Sequence, residues 1–179
     1  MTTSSPGIWV TDPDAYRKRL MALVGNRDPI DVLSTTAAAL EGVAAENPPN
    51  VMRARPFEGK WTPNEVIGHL IDAEWVYGYR MRQILCEDSP EILGMDQDRW
   101  VAGQRYNERQ PTELVQTFRA MRGFNLALWK QISPEDLERT GRHNERGPES
   151  LAIMLPMLAG HDLWHLDQIN RYLTAIRER

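Results

Sequence analysis

Proline residues mark the predicted starts of helices along most of this 179-residue chain. Pro13, Pro29, Pro63, Pro111 and Pro134 each open a segment, and four of the five directly follow an Asp, Thr or Ser. Asp, Thr and Ser cap helix N-termini, and proline suits the first helical turn because its missing N–H is not needed there. Apolar residues between these signals recur at helical spacing, and no segment alternates as a strand would. The sequence therefore predicts an all-α protein.

The clearest start signal lies at residues 61–66. Thr62 is the predicted N-cap, Glu65 completes a capping box, and Trp61 is placed to pack against Val66. A long helix is predicted from here to about residue 86. The same reasoning places long helices near residues 28–47, 111–129 and 149–176, short accessory helices near residues 12–24, 98–106 and 133–136, and a polar loop at residues 141–148. Four long helices of this kind predict a four-helix bundle.

Composition limits the classes of function that the chain can perform. Hydrophobic residues make up 41% of the sequence, which is enough for a core, and residues 11–179 are predicted to form a single domain after a flexible tail at residues 1–10. A net charge of −4 argues against nucleic-acid binding, and no apolar stretch is long enough to cross a membrane. The one cysteine, Cys86, fits a reducing compartment, so we expect a cytoplasmic protein.

Three histidines carry the strongest chemical signal. His161 and His165 are four residues apart on the last predicted helix, so their imidazoles share one face. His69 lies far upstream, at the margin of the apolar stripe of another long helix. Three imidazoles suit a divalent transition metal, with zinc or nickel expected first and iron or copper also compatible. A three-nitrogen site leaves coordination positions free, as catalytic metal sites do.

The segments that carry these histidines resemble the DinB-like superfamily. The resemblance rests on Lys60-Trp61-Thr62 followed by residues 65–70, and on His161-Asp162-Leu163-Trp164-His165 followed by residues 166–169. It covers residues 28–172 and implies a four-helix bundle with an up-down-down-up course. It also implies a divalent metal held by His69, His161 and His165, and a homodimer. The family includes thiol-dependent S-transferases and isomerases.

Three functions are compatible with this ligand set. The first is a transferase that uses a low-molecular-weight thiol and a small-molecule substrate, in detoxification or a stress response. The second is a metal-dependent hydrolase, because a bound metal can lower the pKa of water toward about 7. The third is a non-catalytic metal-binding dimer in which the histidines only tie helices together. The ligands alone do not choose between them.

Several polar residues are candidates for supporting roles near the histidines. Asp162 falls in the middle of the apolar stripe, where a carboxylate needs a partner, either a ligand such as His69 or an arginine such as Arg80. Gln168 lies on the ligand face, where it could bind metal-bound water or substrate or only cap a polar pocket. Tyr172 could donate a proton near the site or only pack in the core. Two further residues, His143 and Arg122, are predicted to be solvated surface.

Overall fold

The computed structural model describes residues 12–179, and the predicted tail at residues 1–10 lies outside them. The helices of the described chain are α1 (Pro13–Val24), α2 (Pro29–Glu46), α3 (Pro49–Met52), α4 (Pro63–Cys86), α5 (Gln97–Gln104), α6 (Pro111–Trp129), α7 (Pro134–Leu137) and α8 (Leu151–Arg177), with a 3-10 turn at Tyr106–Glu108. The four long helices α2, α4, α6 and α8 form the predicted bundle, which is confirmed.

The helix starts that proline predicted are also confirmed, since all five prolines are the first residues of helices. At the start of α4, the hydroxyl of Thr62 accepts a hydrogen bond from the Glu65 amide at 3.1 Å, and the Glu65 carboxylate accepts one from the Thr62 amide at 2.8 Å. This capping box fixes the first turn of the helix that carries His69.

Side-chain hydrogen bonds between the long helices define their course. Thr36 in α2 donates to Asp162, and Asn47 at the end of α2 accepts from Arg177 at the end of α8, so α2 and α8 run parallel. Asn64 at the start of α4 donates to the Arg109 backbone oxygen just before α6, and Asn125 late in α6 donates to the Glu74 backbone oxygen further along α4, so these two helices also run parallel. The pair α4 and α6 runs opposite to α8, which confirms the up-down-down-up course.

A small sheet replaces the polar loop that the sequence predicted. Its strands are β1 (Glu91–Ile92), β2 (Thr140–His143) and β3 (Gly147–Ser150), with β1 parallel to β2 and β2 antiparallel to β3. The prediction was wrong because the strands are only two to four residues long, and β2 and β3 consist of polar residues, Gly and Pro without the apolar alternation that marks a strand in the sequence. The hairpin also buries His143, which was predicted to be on the surface.

The core of the described chain forms two clusters along the bundle. One gathers around Leu70, Phe118 and Ile169, and the other around Met81, Trp129 and Leu158. Helix α1 packs along α8 outside the bundle, where Gly160 lies against the backbone of Leu20. Among residues 12–179, no helix combines the length and apolar character needed to cross a bilayer.

Candidate metal centre

The three predicted histidine ligands meet inside the bundle between α4 and α8. His69 lies two turns into α4, and His161 and His165 lie one turn apart on the antiparallel α8. The Nε2 atom of His161 is 2.9 Å from Nε2 of His69 and 3.1 Å from Nε2 of His165. All three side chains are buried, with 2%, 6% and 8% of the surface of His69, His161 and His165 exposed. We call these three residues the histidine triad.

The spacing of the Nε2 atoms fits a shared cation. Three nitrogens bound to one tetrahedral zinc ion at ordinary bond lengths lie about 3.3 Å from one another, close to the two separations observed. A proton on Nε2 of His161 could form a hydrogen bond with only one neighbour at a time. A cation between the rings would satisfy all three nitrogens together.

The protonation states of the triad are those that a metal ligand requires. Burial, followed by the neighbouring His165 and His161, lowers the pKa of His69 well below its usual value. Burial and then the Arg122 guanidinium lower the pKa of His161 to about 4. Burial also lowers the pKa of His165, and His161 adds to that effect. All three rings are therefore neutral near pH 7 and have nitrogen lone pairs available.

Gln168 orients one ring of the triad. Its side-chain oxygen lies 2.7 Å from Nδ1 of His165, and its amide nitrogen donates to the Tyr172 hydroxyl at 2.8 Å. In this arrangement Nδ1 of His165 carries the proton and donates to Gln168, so Nε2 is left as the inward-facing acceptor. The structure thus brings Gln168 to the triad, and it connects Tyr172 to the triad only through Gln168.

Asp162 does not contact a triad imidazole, and its partner is not Arg80. Arg122 donates to its two carboxylate oxygens at 2.6 and 3.1 Å, and the Thr36 hydroxyl donates at 2.6 Å. The same guanidinium donates to Glu74 at 2.7 and 3.0 Å. The partner of Asp162 is an arginine, as one of the two alternatives predicted, but it is Arg122. Arg122 was predicted to lie on the surface, and only 3% of it is exposed.

The other two triad rings have no side-chain partner like Gln168 among the described residues. The ring of Trp61 packs at a tilt against His69, with 4.9 Å between ring centroids. The Nδ1 atoms of His69 and His161 are buried without a hydrogen-bond partner among residues 12–179. One turn from His69, Asp72 accepts hydrogen bonds from Tyr106 at 2.6 Å and from Gln104 at 2.7 Å, so this carboxylate belongs to a separate polar cluster.

A cavity of about 80 Å³ lies beside two of the three triad residues. His69 and His161 line one part of its wall, and Tyr77, Arg80 and Arg146 line another. Burial raises the pKa of Tyr77, which keeps the hydroxyl protonated near neutral pH. The cavity therefore presents nitrogen ligands and cationic groups to the same small volume.

The sequence interpretation missed Arg122 and Arg146 as residues near the site, and it named Arg80 only as a possible partner of Asp162. A signal existed for Arg122, because it lies four residues after Phe118 and three before Asn125, on the buried stripe of α6. No comparable signal existed for Arg146. It lies in the turn of the β2–β3 hairpin, and only the fold brings that turn over the cavity.

The fold and the site together define an up-down-down-up four-helix-bundle protein with a buried histidine triad between its second and fourth long helices. The chain belongs to the DinB superfamily, whose family profile matches residues 33–169. The predicted resemblance is therefore confirmed.

Proteins similar to this chain include bacterial relatives and a solved structure. A candidate metal-dependent hydrolase of Oceanobacillus iheyensis is 30% identical over 112 residues, which cover 62% of this chain and 64% of that protein. This chain therefore spans slightly less than two thirds of that relative. A candidate metal-dependent hydrolase of Bacillus mycoides is 25% identical over 122 residues, covering 68% and 67% of the two chains.

The structural neighbour confirms the fold. YfiT from Bacillus subtilis, described as a probable metal-dependent hydrolase with an unusual four-helix bundle topology, superposes with a TM-score of 0.75. The match has 18% sequence identity and covers 96% of this chain and 90% of YfiT.

Proposed function

We propose that this chain is a metal-dependent enzyme whose histidine triad holds one divalent transition-metal ion, zinc or nickel in the first instance. The observation that carries the proposal is the convergence of three buried Nε2 atoms, with separations of 2.9 and 3.1 Å around His161. A divalent ion bound there would act as a Lewis acid and activate a nucleophile near neutral pH.

A catalytic role is favoured over a purely structural one by the number of ligands. The cluster contains three residues able to bind a metal, and no fourth His, Cys, Asp or Glu joins it among residues 12–179. Structural zinc sites are usually closed by four protein ligands, whereas catalytic sites keep a position open. The cavity beside His69 and His161 gives such a position access to a substrate.

Hydrolysis is the reaction that we propose first, because the named relatives are described as candidate metal-dependent hydrolases. In this reaction His69, His161 and His165 hold the ion, Gln168 fixes the ring of His165, and the polar wall of the cavity orients the substrate. Transfer of a low-molecular-weight thiol remains the second candidate, on the strength of the family resemblance. The cytoplasmic location and the homodimer also remain predictions.

Metal binding is tested by titrating zinc and nickel into protein freed of metal by a chelator and then desalted. We expect one ion per chain and a rise in melting temperature, since a ligand at 100 times its Kd stabilises a protein by about 2.7 kcal/mol. His161→Ala should weaken binding at least 100-fold, and the control His143→Asn should bind the metal as the wild type does. Absence of binding by wild-type protein would remove the proposal.

The reaction is tested on the same metal-loaded protein with two probes. Turnover of p-nitrophenyl acetate that depends on the metal and is indifferent to added cysteine supports hydrolysis. Conjugation of cysteine to 1-chloro-2,4-dinitrobenzene that depends on the metal supports thiol transfer. In each case the His161→Ala variant gives the background rate.

A further inference from the structure

Arg80 is a buried cation that pairs with no carboxylate in the described part of the chain. Only 5% of its surface is exposed, and it makes no ion pair among residues 12–179. Its hydrogen bond within the described chain goes to the backbone oxygen of Leu93 at 2.5 Å. A guanidinium has five N–H donors, and a buried charge without a counter-ion is costly. The guanidinium carbon also lies 5.7 Å from the centre of the Tyr77 ring. This arginine is therefore suited to an anionic partner that the described residues do not supply.

The surroundings of Arg80 carry an excess of positive charge. Arg146 lines the same cavity and binds Glu149 with two hydrogen bonds of 2.6 and 2.8 Å. Arg17 lies 3.7 Å from the same Glu149 carboxylate, so two arginines already share one acidic group. Glu145 also lines the cavity, but it forms no ion pair with Arg80 or Arg146 among the described residues.

The position of Arg80 relates it to the histidine triad. Its side chain lines the cavity that also exposes His69 and His161, so an anion held by the guanidinium would lie close to the triad. At roughly 10–15 Å³ for each water-sized position, the cavity of about 80 Å³ accommodates a group of a few heavy atoms. Guanidinium groups bind carboxylates through two parallel N–H···O bonds.

We propose that Arg80 binds the carboxylate of a small substrate whose reactive group lies at the histidine triad. This assignment rests on the proposed function and narrows its substrate class to small carboxylates. Arg146 is held in place by Glu149 and adds positive charge to the cavity, and Glu145 opposes anion binding. Burial lowers the pKa of Arg80 and the like charge of Arg146 adds to that shift, whereas Tyr77, Glu149 and Glu145 act against it. A bound carboxylate would likewise favour the charged guanidinium.

The test is calorimetric titration of succinate into metal-free protein and into zinc-loaded protein, with the chelator removed beforehand. Arg80→Gln should weaken succinate binding at least tenfold in both forms. The matched control is Arg82→Gln, two residues along the same helix, whose guanidinium bonds to Gly78 and Asn125 away from the cavity. This variant should bind succinate within twofold of the wild type.

Glu145→Gln provides an independent readout should Arg80→Gln fail to fold. Loss of the opposing carboxylate should tighten succinate binding several-fold, and unchanged or weaker binding overturns the proposal. Equal binding by folded Arg80→Gln and wild-type protein also overturns it, as does binding of inorganic phosphate without binding of succinate. Zinc content measured on the same samples separates the two proposals. If succinate binding depends on Arg80 but the protein binds no zinc, only the proposed metal-dependent function is overturned.

Discussion

Arg122 on α6 binds both carboxylate oxygens of Asp162 on α8, the residue that directly follows His161. The same guanidinium also binds Glu74 on α4 and the backbone oxygen of Leu33 on α2. One side chain therefore connects all four long helices at the level of the histidine triad. Because Asp162 is fixed in this way, the helical turn that presents His161 is fixed with it.

Replacement of Arg122 should be among the most destabilising changes in the protein. Arg122→Met leaves Glu74 and Asp162 buried without their shared counter-ion, and loss of one partner from a buried ion pair typically costs about 3–5 kcal/mol. Urea unfolding at pH 7 measures this loss. Arg119→Gln, which breaks only the solvated pair with Glu41, should cost less than about 1 kcal/mol. Similar midpoints for the two variants would contradict the role assigned to Arg122.

Gln168 should influence metal affinity without binding the metal. Gln168→Leu keeps most of the side-chain volume but removes the hydrogen bond to Nδ1 of His165, and loss of such orienting partners typically lowers metal affinity about 10–100-fold. Competition titration with a zinc chelator measures the change. The control is Asp167→Asn, an exposed neighbour paired with Arg171, which should leave the affinity unaltered. Wild-type affinity in Gln168→Leu would mean that packing alone orients His165.

The sequence could predict the helices because their signals are local. Capping residues, prolines at first turns and apolar spacing lie within a few residues of the boundary that they define, as at Thr62 and Glu65. The histidine spacing on α8 is local in the same way. The approach of His69 to that pair is a long-range contact, which its position at the margin of an apolar stripe suggested and the family resemblance strengthened.

Long-range polar partners account for what the sequence did not predict. Asp162 clearly needed a partner, but the choice between Arg80 and Arg122 depends on which helices are neighbours in the bundle. The burial of His143 depends on pairing between strands that are too short to show a pattern. The cavity depends on the β2–β3 hairpin, which brings Arg146 to the wall of the cavity that His69 and His161 also line.

Acid should destabilise the metal-free protein through its buried histidines. An unfolded histidine has a pKa near 6.5, whereas burial lowers the pKa of both His143 and His161 to about 4 in the folded chain. Between pH 6.5 and 4 the unfolded state therefore binds more protons, so stability is fully present above about pH 6.5 and falls as the pH decreases toward 4.

The measurement is the urea midpoint of metal-free protein at several values between pH 4 and 7.5. In the wild type the Glu145 amide donates to Nδ1 of His143, and the side-chain oxygen of His143→Asn can accept the same hydrogen bond. Asn cannot be protonated, so the urea midpoint of this variant should fall less steeply with decreasing pH than that of the wild type. Parallel pH profiles for the two proteins would show that His143 does not contribute to the acid sensitivity.

Gly160 should be required for the packing of α1 against α8. A Cβ atom at this position would lie 2.2 Å from the backbone oxygen of Leu20, and backbone cannot rotate away as a side chain can. Gly160→Ala should therefore destabilise the protein by at least about 1–3 kcal/mol, in spite of the higher helix propensity of alanine. Gly123→Ala on α6 is the matched control, since a Cβ there meets nothing within 4 Å and helix propensity alone should stabilise by roughly 0.5–1 kcal/mol.

Thermal unfolding of both variants should give melting temperatures on opposite sides of the wild type. Because Gly160 directly precedes His161, displacement of this turn should weaken zinc binding in Gly160→Ala, whereas Gly123→Ala should bind zinc as the wild type does. A stabilised Gly160→Ala variant would show that α1 does not pack on α8 in this way.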